Sequence, residues 1–336
     1  MKLLVIGGTV FLGRHIVEYA LSEGHEVTLF NRGQHNPELF PDVEKIKGDR
    51  KTDYGMLAGR EWDAVIDTCG YVPGDVRNTA ETLKDSVKRY VFISSINAFR
   101  DVEEAGIDES YPEAQLPEGA SMDEMTMETY GPLKVLCEHE VKRIFPDGYV
   151  NIRSGLIVGP NDPSDRFTYW VNRIGKGGSV LCPGNGNTPV QFIDVRDLAR
   201  WSVKMALDGE SGLYSGTGPD HLLTMGQFLE TCRAICNPDA DLVWMDEKSL
   251  EENEVSPWSE MPAWAPDSVK EFHGLGRINI NKALANGLKF TTLENTIKDT
   301  FKWDSSRPKQ TKLRAGIDPE KEKKILEKYK SEAEKL

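Results

Sequence analysis

The chain has 336 residues and a formal net charge of −13. That length can bury a large core in one large domain or a two-lobed unit, while the acidic balance argues against nonspecific binding to nucleic acid or an acidic membrane, which needs clustered Lys and Arg. No apolar run approaches the roughly 20 residues of a membrane span, and Met1–Ile6 leads directly into Gly7-Gly8 with no cleavable apolar region, so a cytoplasmic protein with no membrane association is expected.

In chain order, short β-branched runs alternate with amphipathic stretches, the pattern of βαβ units on a parallel sheet. Strands are expected at Leu3–Ile6, Glu26–Phe30, Glu44–Lys47, Ala64–Thr68, Tyr90–Ser94 and Tyr149–Arg153, with helices at Phe11–Ser22, Val76–Leu83 and Pro132–Ile144. The expected fold is α/β: a Rossmann-like doubly wound parallel sheet with a smaller C-terminal substrate lobe. We divide it as 1–165 for the dinucleotide domain, 189–208 rejoining it, and 166–188 with 209–336 for the substrate lobe and tail. Such a sheet binds ligands beyond the carboxyl ends of its strands.

Arg100–Glu128 is acidic and loop-like, with Pro112, Pro117 and Gly119, and is a candidate lid. Gly175–Thr188 carries five glycines and reads as irregular, ahead of a strand at Val190–Ile193 and a helix opened by Asp194–Asp197. Pro257–Trp264, with two tryptophans, is either a roof over the substrate cleft or satellite core. The Lys/Glu-rich tail Pro319–Leu336 reads as a solvated helix. Cys69, Cys137, Cys182, Cys232 and Cys236 are scattered as reduced thiols would be. Cys232 and Cys236, four apart in an expected helix Met225–Ile235, lack a second Cys/His pair, so packing is expected there and no metal site.

Three segments carry chemistry. Gly7-Gly8-Thr9-Val10-Phe11-Leu12-Gly13 occupies the first βα turn, where backbone amides meet a pyrophosphate at a helix N-terminus. Asn31 and Arg32 end the second strand, at the adenosine ribose. An acid there favours NAD; Asn31 and Arg32 instead suit a 2′-phosphate, so the reading is NAD(P) with NADP preferred. Tyr130 and Lys134 lie four apart on one face of a helix whose first turn tolerates Pro132. A phenol, ordinarily with a pKa of about 10, beside an ammonium is a candidate proton carrier.

These motifs resemble the extended or atypical short-chain dehydrogenase/reductase superfamily, the NAD(P)-dependent epimerase/dehydratase family. The first turn is similar to its Gly-x-x-Gly-x-x-Gly fingerprint, with Val10 where the middle glycine belongs, as in atypical members that include plant stem-loop-binding relatives. Val91-Phe92-Ile93-Ser94-Ser95, Arg153-Ser154-Gly155-Leu156-Ile157-Val158-Gly159-Pro160, Phe192–Asp197 and Lys282-Ala283-Leu284 resemble later landmarks. The resemblance implies that Ser95 orients a substrate oxygen, Tyr130 is the acid/base, and Lys134 lowers the phenol's pKa and holds the nicotinamide ribose. It also implies that Asp49 reaches the adenine.

Ile96-Asn97-Ala98-Phe99 after Ser95 lacks the Asp-Glu pair of the sugar dehydratases. Gly155-Leu156 stands where many nucleotide-sugar epimerases place Asn, which weakens a diphosphate-sugar substrate without excluding it. The expectation is a small-molecule oxidoreductase or epimerase using NAD(P) and a Ser-Tyr-Lys triad, its substrate a hydroxyl or carbonyl compound that includes the nucleotide sugars. The alternative is a non-catalytic cofactor-sensing or RNA-binding protein on the same scaffold. A homodimer is compatible with either reading.

Overall fold

A computed structural model describes residues 1–333. The first half contains β1 (Lys2–Ile6), α1 (Leu12–Ser22), β2 (Glu26–Asn31), β3 (Glu44–Lys47), β4 (Ala64–Asp67), α2 (Pro73–Leu83), β5 (Arg89–Ser95), α3 (Tyr130–Ile144) and β6 (Tyr149–Ser154). The second half continues with β7 (Leu156–Val158), α4 (Arg166–Gly175), β8 (Ser179–Pro183), β9 (Phe192–Asp194), α5 (Val195–Asp208), β10 (Gly212–Gly216), α6 (Met225–Cys236), β11 (Asp241–Met245), α7 (Glu247–Glu252), α8 (Asn281–Ala285), α9 (Leu293–Ser306) and α10 (Pro319–Ala333).

Seven parallel strands form the central sheet in the order β10-β6-β5-β4-β1-β2-β3. β1 shows why the run reads as continuously apolar. Leu3 and Val5 face one side, against Ile16, Val17 and Ala20 of α1 and Leu198 of α5. Leu4 and Ile6 face the other, against Val76 and Ala80 of α2 and Cys137 and Val141 of α3. A parallel strand covered on both faces needs apolar residues at successive positions. The order reverses between β1 and β4, and ligands in such sheets bind at that switch point.

The smaller lobe has its own core, in which Phe167, Trp170, Phe228, Met261 and Trp264 are buried. Two short parallel pairs, β8 with β11 and β7 with β9, frame it. No helix among the described residues is long and apolar enough to cross a membrane.

Three expectations change, and one open alternative is narrowed. Gly175–Thr188 is not irregular throughout: Ser179–Pro183 forms β8, because the apolar Val180-Leu181-Cys182 run is bounded by the glycines rather than dissolved by them. The return to the first domain extends beyond 189–208, since β10 pairs with β6 in register Gly212↔Val150 to Gly216↔Ser154. The terminal helix is docked, not merely solvated, with Ile325 and Leu326 in the lobe's core and Glu322 accepting from Arg173 (2.7 Å) and the Leu181 amide (3.0 Å). Pro257–Trp264 contributes Met261 and Trp264 to that core, and Trp264 Nε1 donates to Thr188 Oγ1. Cys232 packs there too.

Candidate active site

The carboxyl ends of β1, β2, β4 and β5 open onto a cleft of about 680 Å³. It runs from Arg32 and Asp49, past Gly7–Gly13, to Tyr130, Lys134, Ser154, Ile157 and Pro163. All seven residues of the glycine turn line it: Gly7, Gly8, Thr9, Val10, Phe11, Leu12 and Gly13.

Three glycines make the turn possible. Gly7 (φ 105°) and Gly8 (φ 94°) lie in backbone territory that side chains resist, and a Cβ on Gly13 would sit 2.7 Å from the Gly8 nitrogen and 2.9 Å from its Cα. Val10 is not among the positive-φ residues, and its half-exposed side chain borders the cleft. The loop conformation therefore does not demand the glycine that the resemblance places at position 10. α1 starts at Leu12 with no side-chain cap on its amides. Its unpaired N–H groups and partial positive charge face the cleft, an arrangement that fits a pyrophosphate.

At the adenosine end the two candidates part company. Asn31 Nδ2 donates to the Gly7 carbonyl at 2.7 Å, and its Oδ1 accepts from the Gly33 amide at 2.9 Å. Asn31 thus braces the loop with one contact at each end of its amide. Arg32 is exposed and lines the cleft, with no hydrogen-bond or ion-pair partner among the described residues. Asp49 also lines the cleft, where its Oδ1 accepts from the Lys51 amide at 2.9 Å.

Next to Asp49 is a buried ion pair that sequence reading missed. The Arg50 guanidinium donates to both oxygens of Asp67, at 2.8 and 2.9 Å, and the Tyr90 hydroxyl adds a third bond at 2.7 Å. Burial alone would raise the Asp67 pKa, but the charge and hydrogen bonds of Arg50 hold the carboxyl below its usual range.

Tyr130 and Lys134 come from the first turn and a half of α3, and Ser95 from the end of β5. Gly131 presses against the Asn97 carbonyl, in the short turn that follows Ser95, and so brings the helix start onto the strand end. The Ser95 hydroxyl acts on the Tyr130 phenol, partly offsetting its burial, while its own hydrogen bonds run to Asn97, whose amide it accepts from at 3.2 Å and whose Oδ1 it donates to at 3.4 Å. Lys134 Nζ donates to the carbonyls of Gly70 (2.7 Å) and Ile93 (2.8 Å) and lies 4.6 Å from the Phe92 ring centre and 5.1 Å from that of Tyr71. Tyr130 and Lys134 line the cleft, as does Ser94, whereas Ser95 does not.

The electrostatics differ from expectation. Burial pushes the Tyr130 phenol up, only partly offset by Ser95, and burial pulls the Lys134 ammonium down. The Lys134 ammonium is turned onto two carbonyls and two rings rather than onto the phenol. Behind the triad, Glu138 accepts from Ser94 Oγ (2.5 Å) and from Arg153 Nε and Nη2 (3.0 and 2.8 Å), all buried. Glu138 had a legible signal, since it stands four past Lys134 on one helix face. Arg50, Asp67 and Arg153 meet their partners across the sheet, and no local spacing announces them.

The family model described as "NAD dependent epimerase/dehydratase family" matches residues 3–215. Among curated proteins, the chain is 26% identical over 221 residues to the chloroplast stem-loop binding protein of 41 kDa b of Arabidopsis thaliana, covering 59% of this chain and 53% of that protein. It is 24% identical over 225 residues to bifunctional pinoresinol-lariciresinol reductase 2 of Linum usitatissimum, covering 62% of each. The chain thus spans between half and two-thirds of the length of these relatives. Among solved structures, UDP-N-acetylglucosamine 4-epimerase from Bacillus cereus superposes with a TM-score of 0.68 at 16% identity, over 93% of this chain and 99% of that one, a likeness of fold.

Proposed function

The chain belongs to the NAD dependent epimerase/dehydratase family, and from that premise we propose that it is an NAD(P)-dependent oxidoreductase or epimerase acting on a hydroxyl or carbonyl of a small molecule through Ser95, Tyr130 and Lys134. The observation that carries this reading is the meeting of Tyr130, Lys134 and the glycine turn in one cleft.

When bound, a nicotinamide cofactor supplies or accepts hydride at the substrate carbon. Gly7, Gly8 and Gly13 let the backbone approach the pyrophosphate, and the α1 amides hold it. Tyr130 gives the substrate oxygen a proton in reduction or takes one in oxidation, and Ser95 acts on that exchange through the phenol. A phenol raised by burial is protonated at neutral pH, which suits it to the acid role. Two of the three Lys134 protons are engaged, leaving one for the nicotinamide ribose. That Arg32 is exposed on the cleft lining supports NADP as the preferred cofactor.

The test is a panel of carbonyl compounds and their alcohols with cofactor deuterated at the transferred position. An oxidoreductase consumes cofactor and passes deuterium to product; an epimerase inverts the carbinol centre with cofactor recycled. Neither change with any compound, in protein that binds cofactor, overturns the reading. The stem-loop-binding relative supports a second reading, an RNA-binding or cofactor-sensing protein. The net charge of −13 weighs against it, and a gel shift with structured RNA at physiological salt decides between them.

A further inference from the structure

The charges of the cleft are sorted along its length. Its cationic side chains, among the described residues, are Arg32, Arg50, Lys51 and Lys134, apart from the imidazole of His35. Arg32 and Lys51 belong to the adenosine end, just after β2 and β3. Arg50 is bound to Asp67, and Lys134 is turned onto the Gly70 and Ile93 carbonyls. No ammonium or guanidinium in the lining is left free where the substrate must meet Tyr130.

The lining also holds Tyr71, Met125, Ile157 and Pro163, together with the neighbouring carboxylates Asp75 and Asp123. The side chains of Tyr71 and Met125 are 44% and 46% exposed. Their apolar surface is open to the cleft, the condition under which exposed apolar groups mark a ligand site. Tyr71 is also held in place, because Lys134 bonds the carbonyl of the preceding Gly70 and lies over the Tyr71 ring. Leu156, the residue after Gly155, packs toward the second lobe's core and offers no amide.

We propose that the Tyr130 end of the cleft selects an uncharged, largely apolar carbonyl or carbinol compound, seated between Tyr71 and Met125, and rejects nucleoside-diphosphate sugars. A diphosphate there would face Asp123 with no unengaged lining cation to replace its water. An aryl or alkyl group would bury the Tyr71 and Met125 surfaces, with the thioether against the ring. This inference rests on the proposed function only in taking the Tyr130 end as the substrate end.

The experiment is a binding measurement on the full chain loaded with whichever reduced nicotinamide cofactor binds more tightly. Quenching of cofactor fluorescence is titrated with 4-phenyl-2-butanone and with UDP-glucose. The expected result is ketone affinity at least tenfold above that for UDP-glucose, and a tenfold or greater loss of ketone affinity in Tyr71→Ala and in Met125→Ala. UDP-glucose binding as tightly as the ketone, undetectable ketone binding, or unchanged ketone affinity in both folded variants overturns the proposal. The readout is binding and does not depend on turnover. Loss of the catalytic reading and loss of the substrate class are therefore separate outcomes.

Discussion

Gly131 lies so close to the carbonyl oxygen of Asn97 that a methyl group on it would overlap that oxygen. This contact seats Tyr130 beside Ser95. Gly to Ala inside a helix ordinarily gains up to about 1 kcal/mol, whereas overpacking costs about 1–3 kcal/mol. Gly131→Ala is expected to lower the urea midpoint and to reduce turnover more than cofactor affinity. A variant with a raised midpoint and wild-type turnover would show that the contact does not position the phenol.

Tyr130→Phe removes one hydroxyl from a half-buried ring and leaves the packing of α3 in place. Fold and cofactor binding should survive, with turnover on any accepted substrate falling by about 10²–10⁴-fold, the usual effect of losing a general acid/base. Circular dichroism and steady-state kinetics on the same preparation check it. Full turnover in the folded variant would remove Tyr130 from the chemistry.

The Arg50–Asp67 pair sets an acid limit on stability. The Asp67 carboxyl is held below its ordinary value of 3.8, so its contribution is complete above that value and is lost as pH falls through the lower, folded-state one. Asp67→Asn leaves Arg50 buried without its counter-charge, an error worth about 3–5 kcal/mol. Urea unfolding from pH 7 to pH 3 should show a large loss in the variant at neutral pH and a shallower decline toward acid. Parallel curves would show that the pair does not govern the acid limb.

The acidic segment divides in two. Its first part is anchored: Ile107 packs with Phe99 and Ile278, Glu109 accepts from the Ser215 amide at 2.6 Å, and Glu113 meets Arg153 and His139. Ser121–Glu128, by contrast, is wholly exposed, though Asp123 and Met125 reach the cleft. Hydrogen exchange should be slow near Ile107 in all states, and at Ser121–Glu128 fast without ligand and slower once the cleft is filled. Uniform protection across both parts, unchanged by ligand, would rule out a lid here.

Arg32 should set cofactor choice. A charge-assisted hydrogen bond contributes about 1.5–3 kcal/mol, and solvent at this exposed site reduces that figure, which leaves an NADP preference of about tenfold. Calorimetric titration of both oxidised cofactors into wild type and Arg32→Ala measures it. Equal affinities in wild type, or an unchanged ratio in the variant, would transfer the choice to another residue.

Where local pattern carries the physics, the sequence was legible. The edges of β1 to β6 fall within a residue of expectation: β1, β4 and β5, buried on both faces, leave largely apolar runs, whereas β3, Glu-Lys-Ile-Lys, buries Ile46 alone. The glycine turn and the Tyr130/Lys134 spacing are likewise local. What escaped depends on distant partners. Gly212-Leu213-Tyr214-Ser215-Gly216 is too short and glycine-bounded to declare itself a strand until β6 lies beside it. The tail's Glu322 reads as a solvent charge until Arg173 and the β8 backbone claim it. The Lys134 environment escaped too, since spacing places it near Tyr130 but not against the Gly70 and Ile93 carbonyls.

Because β10 closes the sheet over β6 only after the chain has passed through much of the second lobe, the two halves are not separable goods. A fragment ending near residue 165 would carry the glycine turn and all three triad residues, yet it would leave one flank of Tyr149–Ser154 without its backbone partners. An apolar strand with a bare edge recruits other chains to fill it. Such a fragment would be expected to precipitate rather than bind cofactor. Splicing this nucleotide-binding half onto another substrate lobe would have to exchange the intervening segments and keep the stretch through Gly216.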